Sequence, residues 1–243
     1  MRRFKLLLQN ELVRIGRDNL MILFMVYPFV ISLFGRYGVP YIQGFLMTKG
    51  FDLTPHYPVV VIFLILVNPY IYGSLAAFTI LDEREDRVLE AIRITPIKIE
   101  TYLTAKVAMI VVVSILTGII VVPLVNLVQI SFTKLIIVNV LMAFAAPFNM
   151  LLIASIAENK IEGFAITKGT GFMLILPLVA FYVPAKYVWF FGIAPGFWPA
   201  FSMATAISPN YGPLPYWLYA VIGLGYVLLL SKLLLTRFKQ KLV

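Results

Sequence analysis

Charged residues cut this chain into long apolar stretches. Uncharged runs cover 19–35, 57–81, 107–133, 135–157, 169–185 and 187–231, with lengths of 17, 25, 27, 23, 17 and 45 residues. A bilayer core about 30 Å thick takes about 20 helical residues to cross. Each of the first five runs therefore predicts one transmembrane helix. The two shortest extend past a flanking charge, whose long side chain reaches back to the interface. The sixth run has room for two helices, but Pro195, Pro199, Pro209, Pro213 and Pro215 interrupt it. Proline removes a helical donor and clashes with the preceding turn, so only 216–235 reads as a continuous span. The pattern predicts an all-α, polytopic membrane protein with six transmembrane helices, at about 19–36, 58–81, 103–125, 134–157, 169–187 and 216–235. These form a single transmembrane domain over 1–243, with an outer broken-helix segment at 188–215.

The pieces between the runs have patterns of their own. Phe4, Leu8, Leu12 and Ile15 recur at helical spacing. They predict an N-terminal interfacial amphipathic helix over 1–18, with its basic residues toward anionic headgroups. The stretch Leu81–Lys98 is dense in both charges. Asp82 is expected to cap a helix start with Glu85 as its reciprocal partner, and Glu83 to pair with Arg87 one turn on. Val88, Leu89 and Ile92 make a small apolar patch, and Pro96 stops the helix by disfavouring helical geometry at Thr95. A short charged helix over 82–94, between spans two and three, follows. Glu158–Lys168 reads as a short amphipathic connector.

Composition sharpens the class. Apolar residues make up 61% and charged residues 13%, against about 45–50% and about 25% in soluble domains, so too little charge remains to cover a water-facing surface. The chain has no cysteine, hence no thiol nucleophile or thiolate metal site. The net charge of +9 is explained by where the basic residues fall. Arg2, Arg3, Lys5, Arg14 and Arg17 precede span one. Arg84, Arg87, Arg93, Lys98 and Lys106 lie in the second loop and its edges, Lys160 and Lys168 in the fourth, and Lys232, Arg237, Lys239 and Lys241 in the tail. Only Arg36, Lys49, Lys134 and Lys186 remain for the other side. By the positive-inside rule both termini are cytoplasmic. Trp189, Trp198 and Trp217 fall on the sparse side as an interfacial aromatic belt. Orientation thus accounts for the charge without a nucleic-acid partner. The N-terminal stretch is expected to stay uncleaved, since 18 residues precede the first apolar run.

Chemistry is sparse. No Gly-Lys dipeptide occurs, so a phosphate-cradling loop of the G-x-x-x-x-G-K-[ST] type is excluded. No uncharged run holds a carboxylate by construction, and the one histidine, His56, sits at the outer end of span two. A membrane-embedded enzyme would need paired carboxylates, a Ser–His pair or a metal set, and no metal or catalytic residue is expected. An ion-coupled or sodium-extruding carrier is the alternative; it usually holds an ionisable residue at membrane depth, although backbone and hydroxyl groups also bind sodium. The few polar groups inside spans read either as interhelical glue or as the lining of a transport path. Asn68, Tyr70, Tyr72 and Asn149 are the candidates for the path. Spans without fixed charge point to an amphipathic or hydrophobic cargo.

The residues Glu83-Arg84-Glu85, Val88-Leu89-Glu90, Thr95-Pro96-Ile97, Tyr102-Leu103 and Lys106 resemble the signature of ABC-2-type ABC transporter permeases. The layout resembles that family too: a flat N-terminal helix, six spans and a broken outer segment before the last. Where members often have a small pair before Leu-Glu, this chain has Arg87-Val88. The resemblance implies the membrane subunit of an ATP-driven exporter of drug, antibiotic or lipid-like molecules, multi-pass in the cell membrane and surrounded by its lipids. It implies a partner ABC ATPase subunit that holds the ATP and Mg, and a second permease subunit, identical or not. It makes 82–94 a cytoplasmic coupling helix, with Glu83, Arg84, Glu85, Arg87, Leu89, Glu90, Arg93, Thr95 and Pro96 as the ATPase-coupling residues.

Overall fold

The computed structural model describes residues 19–94 and 99–242. The expected interfacial helix over 1–18, and Thr95 and Pro96, lie outside the described residues. Among the described residues the chain is all-helical, without a strand. Five helices are long and apolar enough to cross a membrane: Thr54–Glu85, Ile99–Val125, Phe132–Ile156, Lys160–Tyr182 and Tyr216–Gln240. The first expected span is helical as well. Helix α1 (Asn19–Leu33) passes through a wide π turn, Phe34–Gly38, into α2 (Val39–Met47). It runs eleven residues beyond the end expected at Arg36, because the uncharged residues that follow resume helical pairing.

Helix α3 (Tyr57–Glu85) is central and buried along most of its length. It packs most extensively on α7 (Ala145–Ile156), and also on α5 (Ile99–Val125) and α6 (Phe132–Ala143). Lipid supplies no hydrophobic drive between spans, so close packing of small residues does the joining. Gly73 of α3 lies against the Ala146 carbonyl oxygen, and a Cβ there would also stand 2.9 Å from the Asn149 Cβ. α6 and α7 are separated at Phe144 because Pro147 cannot supply the helical donor to the preceding turn.

Two expectations about the connections are corrected. The connector Glu158–Lys168 is mostly helix, and the fifth long helix starts at Lys160 rather than near 169. Helix α8 (Lys160–Thr170) is opened by Asn159, whose Oδ1 accepts from the Glu162 N–H at 2.9 Å. Glu162 reaches back to accept from the Glu158 N–H at 2.9 Å and from the Asn159 side-chain amide at 3.1 Å, so cap and third residue hold each other. The helix continues through Gly171 into α9 (Phe172–Val179).

Segment 188–215 does break into short helices, beyond α10 (Ala185–Val188), yet its main piece is no surface cap. Helix α11 (Phe197–Ile207) is buried, wedged against α12 (Tyr216–Leu242), α3 and α6. Its alternating small residues allow that fit, the Ser202 hydroxyl donates to the Tyr216 carbonyl at 2.8 Å, and Lys134 donates to the last-turn carbonyl of Ala206 at 3.2 Å. A cation at a helix C-terminus meets the negative end of its dipole. Trp198, expected in an interfacial belt, packs on Phe197 and Tyr219 and donates to the Gly192 carbonyl at 3.0 Å.

Candidate functional site

The stretch Asp82-Glu83-Arg84-Glu85 occupies the last turn of α3, not the start of a separate helix. Successive helical residues point about 100° apart, so four charged residues in a row face four directions. Each meets a different polar group. Asp82 accepts from Lys160 Nζ of α8 at 2.9 Å. Glu83 turns inward to α5, where Lys106 Nζ donates to its Oε1 at 3.1 Å and the Tyr102 hydroxyl donates to its Oε2. Arg84 donates to the carbonyls of Ala157 at 2.8 Å and Ala154 at 3.1 Å, closing the C-terminus of α7, and lies 5.7 Å from the Phe238 ring of α12. Glu85 accepts from the Lys160 backbone N–H at 2.7 Å, beside the positive N-terminus of α8. The end of α3 is thereby fastened to α5, α7, α8 and α12. The expected pairing of Glu83 with Arg87 does not occur, because Glu83 belongs to the core.

Lys106 is the residue sequence reasoning missed. It counted as a basic loop edge, yet it is 1% exposed. Its ammonium also donates to Thr79 Oγ1 at 3.2 Å and stands 5.1 Å from the Tyr102 ring. A signal was present: Tyr102 and Lys106 are four apart on one helix face. Two charges out of water are tolerated only with good geometry and further hydrogen bonds, and this cluster supplies both.

Beyond Glu85 the chain turns sharply. Arg87 adopts φ 56°, ψ 19°, the left-handed region that a non-glycine residue rarely enters. The short helix α4 (Val88–Arg93) follows. Ile92 packs toward the core beneath it, while Asp86, Arg87, Val88, Glu90 and Ala91 are exposed and Ile94 is almost wholly so. Leu89 and Arg93 belong to the backbone of α4. Of the nine expected coupling residues, Glu83, Arg84 and Glu85 thus make internal contacts, and Arg87 and Glu90 are exposed at the surface among the described residues.

The four candidate path residues lie on two faces of α3 and on α7. Asn149 donates to the Tyr70 carbonyl at 2.8 Å and to Ser74 Oγ at 2.9 Å, and the Tyr70 hydroxyl bonds to the Thr167 carbonyl and, at 3.1 Å, to Thr170 Oγ1. This pair stitches α3 to α7 and α8, beside a cavity of about 40 Å³. Asn68 and Tyr72, four apart on another face, are buried; the Tyr72 hydroxyl faces Thr117 of α5 without a hydrogen bond of normal geometry. Neither end of the Asn68 amide has a protein partner among the described residues.

Comparison with known proteins matches residues 11–235 to a family described as Fluoroquinolones export permease protein Rv2686c-like. Two relatives, both from Mycobacterium tuberculosis, are Fluoroquinolones export permease protein Rv2686c of strain H37Rv and Fluoroquinolones export permease protein MT2760 of strain CDC 1551. Each is 26% identical over 237 residues, covering 96% of this chain and 92% of the relative.

Proposed function

The chain belongs to the Rv2686c-like family of fluoroquinolone export permeases, and from that membership we propose that it is the membrane subunit of an ATP-driven ABC-2-type exporter. In this reading it has six spans, the first being the helical stretch 19–47, with both termini cytoplasmic. A separate ATPase subunit binds ATP and Mg and grips α4, and a second permease subunit completes the path. The cargo is an amphipathic drug of the fluoroquinolone kind, carried outward. Asn68, Tyr70, Tyr72 and Asn149 are the candidates for contact with it.

The observation that supports this reading is a contrast within one short stretch. Residues 82–85 are fastened to four helices, while Asp86, Arg87, Val88, Glu90, Ala91 and Ile94 are exposed just beyond them. A force on α4 enters α3 and passes directly to α5, α7, α8 and α12. Arg87 and Glu90 are exposed to a partner, so they are the residues to alter. The full chain reconstituted with its ATPase should hydrolyse ATP faster when a fluoroquinolone is added. The double change Arg87→Glu with Glu90→Lys should abolish that stimulation and drug export while leaving the amount of inserted permease unchanged. Stimulation that survives the double change would overturn the coupling role.

One observation favours a second reading, an ion-coupled carrier: Glu83 is a buried ionisable residue at the end of a span. In that case dissipating the proton or sodium gradient stops export from vesicles supplied with ATP; an ATP-driven exporter continues.

A further inference from the structure

A groove of about 340 Å³ runs between α5, the α6–α7 junction and α12. That volume lies at the lower end of the roughly 300–1,000 Å³ typical of small-molecule sites. The break at Phe144 and the ring of Pro147 form its back wall. On α12 it is lined by Leu228, Lys232, Leu235 and Lys239, spaced four, three and four, which is a single helix face. At 1.5 Å per residue the lined face is about 16 Å long, close to half of a bilayer core about 30 Å thick. The groove is therefore about one leaflet deep.

Its polarity runs one way. Leu228 of α12 and Val107 of α5 mark the apolar end, and Lys239 and Glu100 the charged end, where they pair at 3.0 Å across the opening. Lys232 lies between the two ends and, among the described residues, has no acidic partner. The long stem of Lys232 lets its ammonium reach toward the charged end of the groove, where it favours an anion joined to an apolar body. A groove one leaflet deep, with its charge at the interface, matches a lipid standing in its own leaflet.

The geometry points to this groove as a binding site for one anionic phospholipid, its phosphate on Lys232 and an acyl chain lying along Leu228 and Val107. Bound there, the lipid braces α12 against α5 on the side where the Lys239–Glu100 pair spans the opening. This goes beyond the exporter reading and does not depend on what drives transport.

The test uses the full-length chain in lipid nanodiscs with photoreactive, diazirine-acyl phosphatidylglycerol, and a phosphatidylcholine probe carrying the same acyl group. Cross-links are mapped by peptide mass spectrometry. The phosphatidylglycerol probe is expected to label α5 and α12 along the groove more than α1 or α9. Lys232→Gln should lower that labelling about fivefold, the effect of one basic residue facing an anionic headgroup. Leu228→Trp should lower it by filling the apolar end. Both residues are exposed, so neither change should disturb the fold, which detergent melting checks. Lys186→Gln, a basic residue at the opposite end of the bundle, should leave labelling unchanged. Equal labelling by the phosphatidylcholine probe, full labelling of Lys232→Gln, or groove cross-links to a second copy of the chain would each overturn the proposal.

Discussion

Glu83 and Lys106 show how one residue's worth depends on its partner. Each is buried and charged, and each is tolerated because the other, with Tyr102 and Thr79, supplies the contacts that water would otherwise make. Removing one member takes away the other's ion-pair partner in the interior, a loss of up to about 3–5 kcal/mol, whereas replacing both with neutral groups of similar size is far milder. Glu83→Gln and Lys106→Met alone should therefore each lower the melting temperature in detergent sharply. The double variant should recover most of the loss, read as a coupling energy in a double-mutant cycle. Additive losses would mean that the two charges are not energetically linked. At this scale the sequence flagged Glu83 as important by its motif but assigned it a surface partner, Arg87. The i,i+4 rule that suggested the pair holds only while both residues stay on one exposed helix, and α3 ends between them at Asp86.

At the scale of elements, the bundle depends on how closely α3 and α7 approach. Gly73 sets that distance, because any side chain would press on the Ala146 carbonyl and on Asn149. Gly73→Val should push the helices apart, break the Asn149 bonds to Tyr70 and Ser74, and cost about 1–3 kcal/mol as overpacking. Size-exclusion profiles after mild heating would reveal it as early aggregation, while Gly44→Val, where nothing lies within 4 Å of the added Cβ, should behave as the parent. Which glycine of the chain matters was not readable from spacing, since Gly73 and Gly44 look alike until two helices are brought into contact. The capping signal Asn159–Glu162 was in the sequence, but the charges of 158–168 outweighed it in a reading built on apolar runs. A helix that begins outside the lipid carries such charges without penalty, which is why α8 starts nine residues early.

At the scale of the whole molecule, contacts gather the charged ends of α3, α5, α8 and α12 at one end of the bundle, through Asp82–Lys160, Glu83–Lys106 and Glu100–Lys239. Lys134, with α11, marks the other. The chain has no cysteine, so single cysteines report sidedness cleanly. Glu90→Cys and Lys49→Cys should react with an impermeant maleimide from opposite faces of oriented vesicles, because α3 runs between them. Labelling of both from one face would remove the six-span topology. The sequence alone determined that the chain is a helical membrane protein and roughly where its long helices run. Burying about 20 residues in hydrocarbon is a local demand, satisfied within each segment by its own backbone hydrogen bonds. Only the tertiary structure decided that Lys106 is internal, that α11 is buried among the spans, and that the candidate path residues divide between two helix faces. Those outcomes are set by what stands opposite each side chain, and no single segment carries that information.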